Sequence, residues 1–188
     1  WHPRRARMLM DAGGRRTPAL ACALLSERHA LPPHPATTTS DLLSAVDGER
    51  VLPPHVREVA SRLTKDTEEA KTTKELDDEA FRHAVFAGYP DRVARRRAAG
   101  SPRFLLASGH GAVLGRESGV HDADFVVAVD VHAGRRDGNA EATIRIASAI
   151  DPEWILGRGH GMRQEVVHVF DAASGRVSAV EREQFGAI

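Results

Sequence analysis

The chain has 188 residues, of which 41% are hydrophobic and 5% aromatic, and its 26 basic residues balance its 26 acidic ones. This length allows one large domain or two small ones, with a core built mainly from Ala, Val, Leu and Ile. No stretch approaches the ~20 apolar residues of a membrane helix, so we expect no membrane partner. The single cysteine, Cys22, lies in a run typical of a buried helix and cannot form an intramolecular disulfide, which favours a cytoplasmic location.

Helix signals fill the first half of the chain. Gly13-Gly14 ends the first helix, Thr17 with Pro18 is typical of the next start, and Ser40 or Thr39 can cap a third helix. The polar segment 65–78 is open to three interpretations: exposed helix, frayed helix or linker. The predicted helices span residues 4–12, 17–31, 41–46, 54–63 and about 77–88.

Strand signals begin after residue 102. The candidate segments are rich in Val, Ile, Leu, Phe or Thr and are bounded by turn residues. Five or six short strands in this length favour a small barrel or sandwich. The sequence therefore predicts an α+β chain whose helical and β parts meet near residues 87–102, with residues 91–99 as a short helical or irregular piece. The predicted strands span residues 103–108, 112–116, 125–132, 142–149, 165–171 and 176–182.

Motifs for catalysis or cofactor binding are not found. Gly109-His110-Gly111 with Gly115 has the wrong spacing for a dinucleotide loop and precedes a strand, so a hairpin turn is the better interpretation. There is no Walker-type phosphate loop, no nucleophile elbow around Ser108, and no Cys/His cluster with zinc-ligand spacing. We therefore assign no catalytic, cofactor or metal residues in this chain.

The neutral total charge hides a basic block. Residues 82–116 contain seven arginines and one acidic residue, which gives this segment a net charge of +6. If residues 91–99 are helical, Arg92, Arg95 and Arg96 share one face. Such a cluster can clamp phosphate oxygens, or it can form internal ion pairs with the acidic flanks, and charge alone does not separate the two.

Several motifs in collinear order resemble HrpB-type, DEAH-related ATP-dependent helicases. Residues 89–97 (YPDRVARRR) and 103–112 (RFLLASGHGA) resemble the junction between the helical and OB-like parts of that family. Residues 2–9 (HPRRARML) and 19–28 (ALACALLSER) resemble its helical region. The tail from Phe170 to Ile188 resembles its final hairpin, with Phe170 where Trp is usual.

This resemblance implies an N-terminal helical bundle that forms a ratchet-like domain at 1–88, and a small OB-like antiparallel β-barrel domain at 89–188, preceded by a basic junction at 89–102. It implies a nucleic-acid-binding accessory region of an ATP-dependent RNA helicase, whose RecA-like lobes, ATP and Mg²⁺ sites would lie upstream of Trp1. The expected partners are those lobes and a single-stranded nucleic acid, RNA rather than DNA. The alternative is a protein-interaction module that clamps the motor lobes without touching nucleic acid. The candidate nucleic-acid-binding residues are Arg92, Arg95, Arg96, Arg97, Arg103, His110 and Arg116.

Overall fold

The computed structural model describes residues 2–27, 36–47, 52–64, 76–134, 141–157, 162–172 and 175–188. In these ranges it contains helices followed by a β-rich part, as the predicted α+β class requires. The helices are α1 (Pro3–Asp11), α2 (Arg16–Leu24), α3 (Asp41–Asp47), α4 (Pro54–Thr64), α5 (Asp78–Gly88) and α6 (Pro152–Leu156), with a 3₁₀ turn at Pro90–Arg92. The strands are β1 (Val93–Arg96), β2 (Arg103–Leu106), β3 (Gly111–Leu114), β4 (Phe125–His132), β5 (Ala142–Ala149), β6 (Met162–Asp171) and β7 (Arg176–Phe185).

Short polar side chains begin two of the helices. The side chain of Ser40 accepts a hydrogen bond from the Leu43 amide at 3.4 Å, and that of Asp77 accepts one from the Ala80 amide at 2.7 Å. Each side chain satisfies an amide that has no partner within its helix. The predicted cap at Ser40 and the predicted end of α5 at Gly88 are confirmed.

The predicted start and length of α2 are wrong. The helix begins at Arg16, with Arg15 rather than Thr17 at the N-cap. It ends at Leu24, and the chain then turns through residues 25–27. The remaining residues of the predicted helix, 28–31, lie outside the described residues, as does most of the polar segment 65–78.

Five strands close into a barrel in the order β1-β2-β3-β5-β4, with β1 also paired to β4. This barrel agrees with the predicted OB-like class. The predicted wholly antiparallel arrangement is wrong for one pair, because β3 and β5 run parallel, with Val113 opposite Thr143. The chain passes from β3 to β4 and then to β5. Strand β5 pairs with the edge of β3 that β2 does not occupy, and it runs in the same direction as β3.

Strand β1 is a further correction to the sequence prediction. Residues 93–96, predicted as helical or irregular, pair antiparallel with both β2 and β4. The basic junction at 89–102 therefore contains a barrel strand. The division of the chain into domains at 1–88 and 89–188 stays a prediction, as does the description of the helices as a bundle.

The barrel has an interior core and an outer core. Phe104 and Ile144 are fully buried inside the barrel. Val93, Val127 and Ile146 belong to a second cluster that includes the side chains of the helices. The helices therefore cover the outer surface of β1, β4 and β5, while the outward side chains of β2 and β3 remain outside that cluster.

The helical core contains Cys22, and burial raises the pKa of its thiol to about 12. A thiol with such a pKa is almost entirely protonated at neutral pH and reacts slowly, since the thiolate is the nucleophile. The predicted buried position is confirmed. Among the described residues, no helix is long and apolar enough to span a membrane.

Strands β6 and β7 form a separate two-stranded ribbon of ten cross-strand pairs. Both strands are longer than predicted, since β6 begins at Met162 and β7 ends at Phe185. After the ribbon, Gly186 adopts a φ of 59° that favours glycine, and the Ala187 amide donates to the Ala107 carbonyl at 2.9 Å. This bond attaches the end of the chain to the turn between β2 and β3.

Candidate nucleic-acid interface

Three of the candidate arginines lie on the outer surface of β1 and β2. Arg95 is opposite Leu105 in the β1–β2 register, and Arg103 is opposite Val113 in the β2–β3 register. The Arg97 amide donates to the Arg103 carbonyl at 2.9 Å, which continues the β1–β2 pairing by one residue. We call this surface, formed by Arg95, Arg97, Arg103, Leu105 and Val113, the arginine face. Through Arg103, Leu105 and Val113 the arginine face extends over β2 and β3. In an OB-fold, the surface of strands 2 and 3 is the one that binds oligonucleotides.

Arg95 is an exposed residue of the arginine face. Its guanidinium lies 5.9 Å from the centroid of the Phe125 ring, which is opposite Arg95 in the β1–β4 register. Within the described part of the chain, no carboxylate oxygen lies within 4.0 Å of its guanidinium nitrogens. Cation–π contacts at exposed sites are weak, so the charge of Arg95 is available to a ligand.

Arg97 and Arg103 share one carboxylate. Nη1 of Arg97 lies 3.6 Å from Oε1 of Glu141, and Nε of Arg103 lies 3.4 Å from Oε2 of the same residue. The side chains of Arg97, Arg103 and Glu141 are 44%, 62% and 27% exposed. The three arginines of the face and this glutamate carry +3 and −1, so the local net charge is +2. Both interpretations offered by the sequence, ion pairing and free positive charge, therefore apply to parts of the block.

Arg96 is directed into the protein, so the predicted common face of Arg92, Arg95 and Arg96 is wrong. Successive side chains of a strand point to opposite sides, and the Arg96 side chain is only 4% exposed. Its guanidinium donates to the carbonyls of Ala123 and His121 at 2.7 Å and 2.5 Å, and to that of Ser101. It also stacks on the buried Phe104 ring at 4.6 Å. Because the fold uses these donors, we remove Arg96 from the candidate interface.

The remaining candidates occupy other positions. Arg92 lies 3.9 Å from Asp91, whose carboxylate also pairs with Arg4 at 2.5 Å. His110 lies in the turn between β2 and β3, where its Nδ1 is 3.2 Å from the Ser108 hydroxyl. Arg116 is exposed just after β3. In the described ranges, no hydrogen bond or ion pair joins Arg92, His110 or Arg116 to the arginine face.

Aromatic side chains contribute little to this surface. Phe104 is fully buried, as predicted, whereas Phe125 is only partly buried and lies beside Arg95. Trp154 packs against α5, with its ring centroid 5.3 Å from that of His83. Single-strand binders of the OB type stack bases on aromatic rings. Phe125 is therefore the aromatic residue in the described β-barrel that is best placed for such a contact.

Sequence reasoning did not find Glu141. This residue immediately precedes β5, and the barrel closure brings it to the ends of β1 and β2. A single glutamate next to a segment of alternating hydrophobicity carries no local signal of its partner. Only the three-dimensional pairing identifies it.

The fold of this chain is similar to that of one segment of a helicase whose structure is known. The chain is similar to two crystal structures of Escherichia coli HrpB, one described as a DExH-box NTPase and the other as a DEAH/RHA helicase. The first aligns with a TM-score of 0.66 and 25% identity, and the second with a TM-score of 0.67 and 22% identity. Each alignment covers 98% of this chain and 22% of the HrpB chain. The resemblance to HrpB-type helicases seen in the sequence is thereby confirmed. No protein-family model and no curated protein sequence matches the chain significantly.

Proposed function

We propose that this chain is a nucleic-acid-binding accessory region of an ATP-dependent helicase and has no catalysis of its own. The observation that carries the proposal is the exposed arginine face on strands β1 and β2 of an OB-like barrel. Among the described residues, Arg95 has no carboxylate partner within 4.0 Å, and Arg97 and Arg103 share the carboxylate of Glu141. Guanidinium groups bind phosphate oxygens through paired hydrogen bonds, so a single strand laid across the face would be held by its backbone.

The other partners follow from the similarity to HrpB. The chain covers about a fifth of that protein, so the RecA-like lobes, ATP and Mg²⁺ are proposed for a longer chain that includes the motor. Recognition of RNA rather than DNA and a cytoplasmic location are part of the same proposal. Parallel titrations with oligo-U and oligo-dT of one length compare the two nucleic acids directly.

The triple variant R95Q/R97Q/R103Q tests the arginine face. We expect its affinity for a single-stranded oligo-U to fall on the order of tenfold or more at low salt, because three charged phosphate contacts are lost. The slope of log K against log salt should fall by about 0.7 for each contact removed. Fluorescence anisotropy at several salt concentrations measures both quantities.

A charge-matched control comes from the ribbon. Arg163, Arg176 and Arg182 are also exposed, so R163Q/R176Q/R182Q removes the same three charges elsewhere. This control should bind nearly as well as the unmodified chain. Equal losses in the two triple variants, or affinity that does not change with salt, would contradict the proposal.

The exposed apolar residues of the ribbon formed by β6 and β7 favour a second function, which is contact with another protein. Phe170 and Val177 are cross-strand partners and are 64% and 63% exposed, and Val166, Val169 and Val180 are also exposed. Exposed apolar groups of this size mark protein contact sites, and a two-stranded ribbon is only marginally stable alone. The ribbon is therefore a candidate surface for packing on the motor lobes.

The ribbon function predicts an effect of F170S/V177S on binding to separately produced RecA-like lobes. We expect the Kd from isothermal titration calorimetry to rise by about tenfold or more, as for the loss of a central apolar pair in an interface. Q164S/E183S changes another cross-strand pair and should leave the affinity nearly unchanged. If both variants bind like the unmodified chain, the ribbon is not the contact.

A further inference from the structure

The carboxylate of Glu141 joins two guanidinium groups that come from different segments. Arg97 begins the connection from β1 to β2, Arg103 begins β2, and Glu141 directly precedes β5. One carboxylate oxygen is 3.6 Å from Arg97 and the other is 3.4 Å from Arg103. Both oxygens of one anionic group are thus directed at two separate cations.

A phosphodiester presents the same pattern to its surroundings. It carries one negative charge on two oxygens, and guanidinium groups bind carboxylates and phosphates in the same forked geometry. Arg97 and Arg103 are therefore spaced to bind the two free oxygens of one phosphodiester. Glu141 occupies that position in the protein without nucleic acid.

Gly111 provides the space for this arrangement. A Cβ atom at this position of β3 would lie 2.7 Å from Nη2 of Arg97 and 2.9 Å from Oε1 of Glu141. Any side chain there would displace the ion pair. The glycine thus leaves an opening on the arginine face in which an anion can lie against the strand.

We propose that Arg97 and Arg103 form a phosphodiester-binding subsite that Glu141 occupies in the free protein and leaves when a strand binds. This inference rests on the nucleic-acid-binding function proposed above and names one contact within it. Exposed ion pairs are weak, so a backbone phosphate held at neighbouring positions can replace the carboxylate. Glu141 then lowers the affinity for nucleic acid and disfavours ligands that contact only this subsite.

The subsite differs from the structural arginine beside it. Arg96 is enclosed by backbone carbonyls, whereas Arg97 and Arg103 are both exposed. In the described ranges, Glu141 is the one carboxylate within 4.0 Å of either side chain. The fold therefore retains the contacts of Arg96 when a ligand arrives, while those of Arg97 and Arg103 can be exchanged.

The test is the variant E141Q, which keeps the size of the side chain and removes its charge. We expect it to bind oligo-U about two- to fivefold more tightly at low salt, the range that corresponds to an exposed ion pair. The control E117Q removes the same charge from a glutamate that pairs with Arg145 at 3.1 Å. It should leave the affinity unchanged. In the R97Q/R103Q background, E141Q should no longer improve binding, because the two guanidinium groups that this substitution would free from their ion pairs are absent.

The outcomes separate the inference from the function on which it rests. A gain in E141Q that E117Q lacks, and that disappears in the R97Q/R103Q background, supports the subsite. Equal affinities of E141Q and E117Q, or a gain that persists without the two arginines, would overturn it while the nucleic-acid function stands. If the unmodified chain and all variants fail to bind oligo-U at low salt, the proposed function itself is wrong, and the subsite with it.

Discussion

Replacing Arg96 by lysine is expected to lower the free energy of unfolding by about 2–4 kcal/mol, although the positive charge is kept. The guanidinium reaches three different carbonyls, those of Ser101, His121 and Ala123, because its donors point in several directions. An ammonium group is a single point at the end of a flexible chain and cannot span them. It also loses the stacking contact with Phe104.

Arg95, the neighbour of Arg96 in β1, provides the matched control. Arg95→Lys changes the same side-chain chemistry at an exposed position and should alter the unfolding free energy by less than about 0.5 kcal/mol. Guanidinium chloride unfolding followed by circular dichroism measures both variants. A stability of Arg96→Lys equal to that of Arg95→Lys would show that the carbonyl contacts contribute nothing.

This pair of variants also separates structure from binding. Under conditions where each protein is folded, Arg96→Lys should bind oligo-U like the unmodified chain, because its guanidinium does not belong to the arginine face. A loss of binding in the folded Arg96→Lys protein would return Arg96 to the interface. The two neighbouring arginines are therefore expected to have separate roles, one in the fold and one in recognition.

The strands that the sequence predicts with both ends correct are β4 and β5. They are eight residues long and rich in β-branched residues, and turn residues bound them, so local signals suffice. The first strand has no such signal. The side chains of Ala94 and Arg96 point into the barrel, and Val93 is covered by the helical core. Arg95 is therefore the exposed residue of this strand. Alternation is lost when both faces of a strand are covered.

The candidate site, like the first strand, could be predicted only in part from local sequence signals. The arginine block is visible in the sequence as charge, but the side on which each arginine lies depends on whether the segment is helix or strand. A helix would group Arg92 with Arg95 and Arg96, whereas the strand separates Arg95 from Arg96. The partner Glu141 and the parallel β3–β5 pair both depend on barrel closure, which is a non-local property.

Asp41 illustrates how the helical part is attached to the barrel. This first residue of α3 is only 1% exposed, and its two carboxylate oxygens accept hydrogen bonds from the Gly119 and Ala147 amides, each at 2.8 Å. Beside it, the Ala149 amide donates to the Thr39 carbonyl at 2.7 Å. One buried side chain thus holds the loop after β3 and the middle of β5 against the start of α3.

Asp41→Ala is expected to lower the free energy of unfolding by about 3–5 kcal/mol, because two buried amides lose a charged acceptor. Asp41→Asn should cost about half as much, since one amide oxygen remains but the NH₂ group faces a donor. Asp47→Ala lies in the same helix at an exposed position and should change stability by less than about 0.5 kcal/mol. Denaturant unfolding gives the three values.

Hydrogen exchange gives a local measure of the same contact. In Asp41→Ala the amides of Gly119 and Ala147 should exchange faster than in Asp47→Ala, even under conditions where both proteins are folded, because their acceptor is gone. Unchanged protection of both amides would mean that the carboxylate does not hold the barrel.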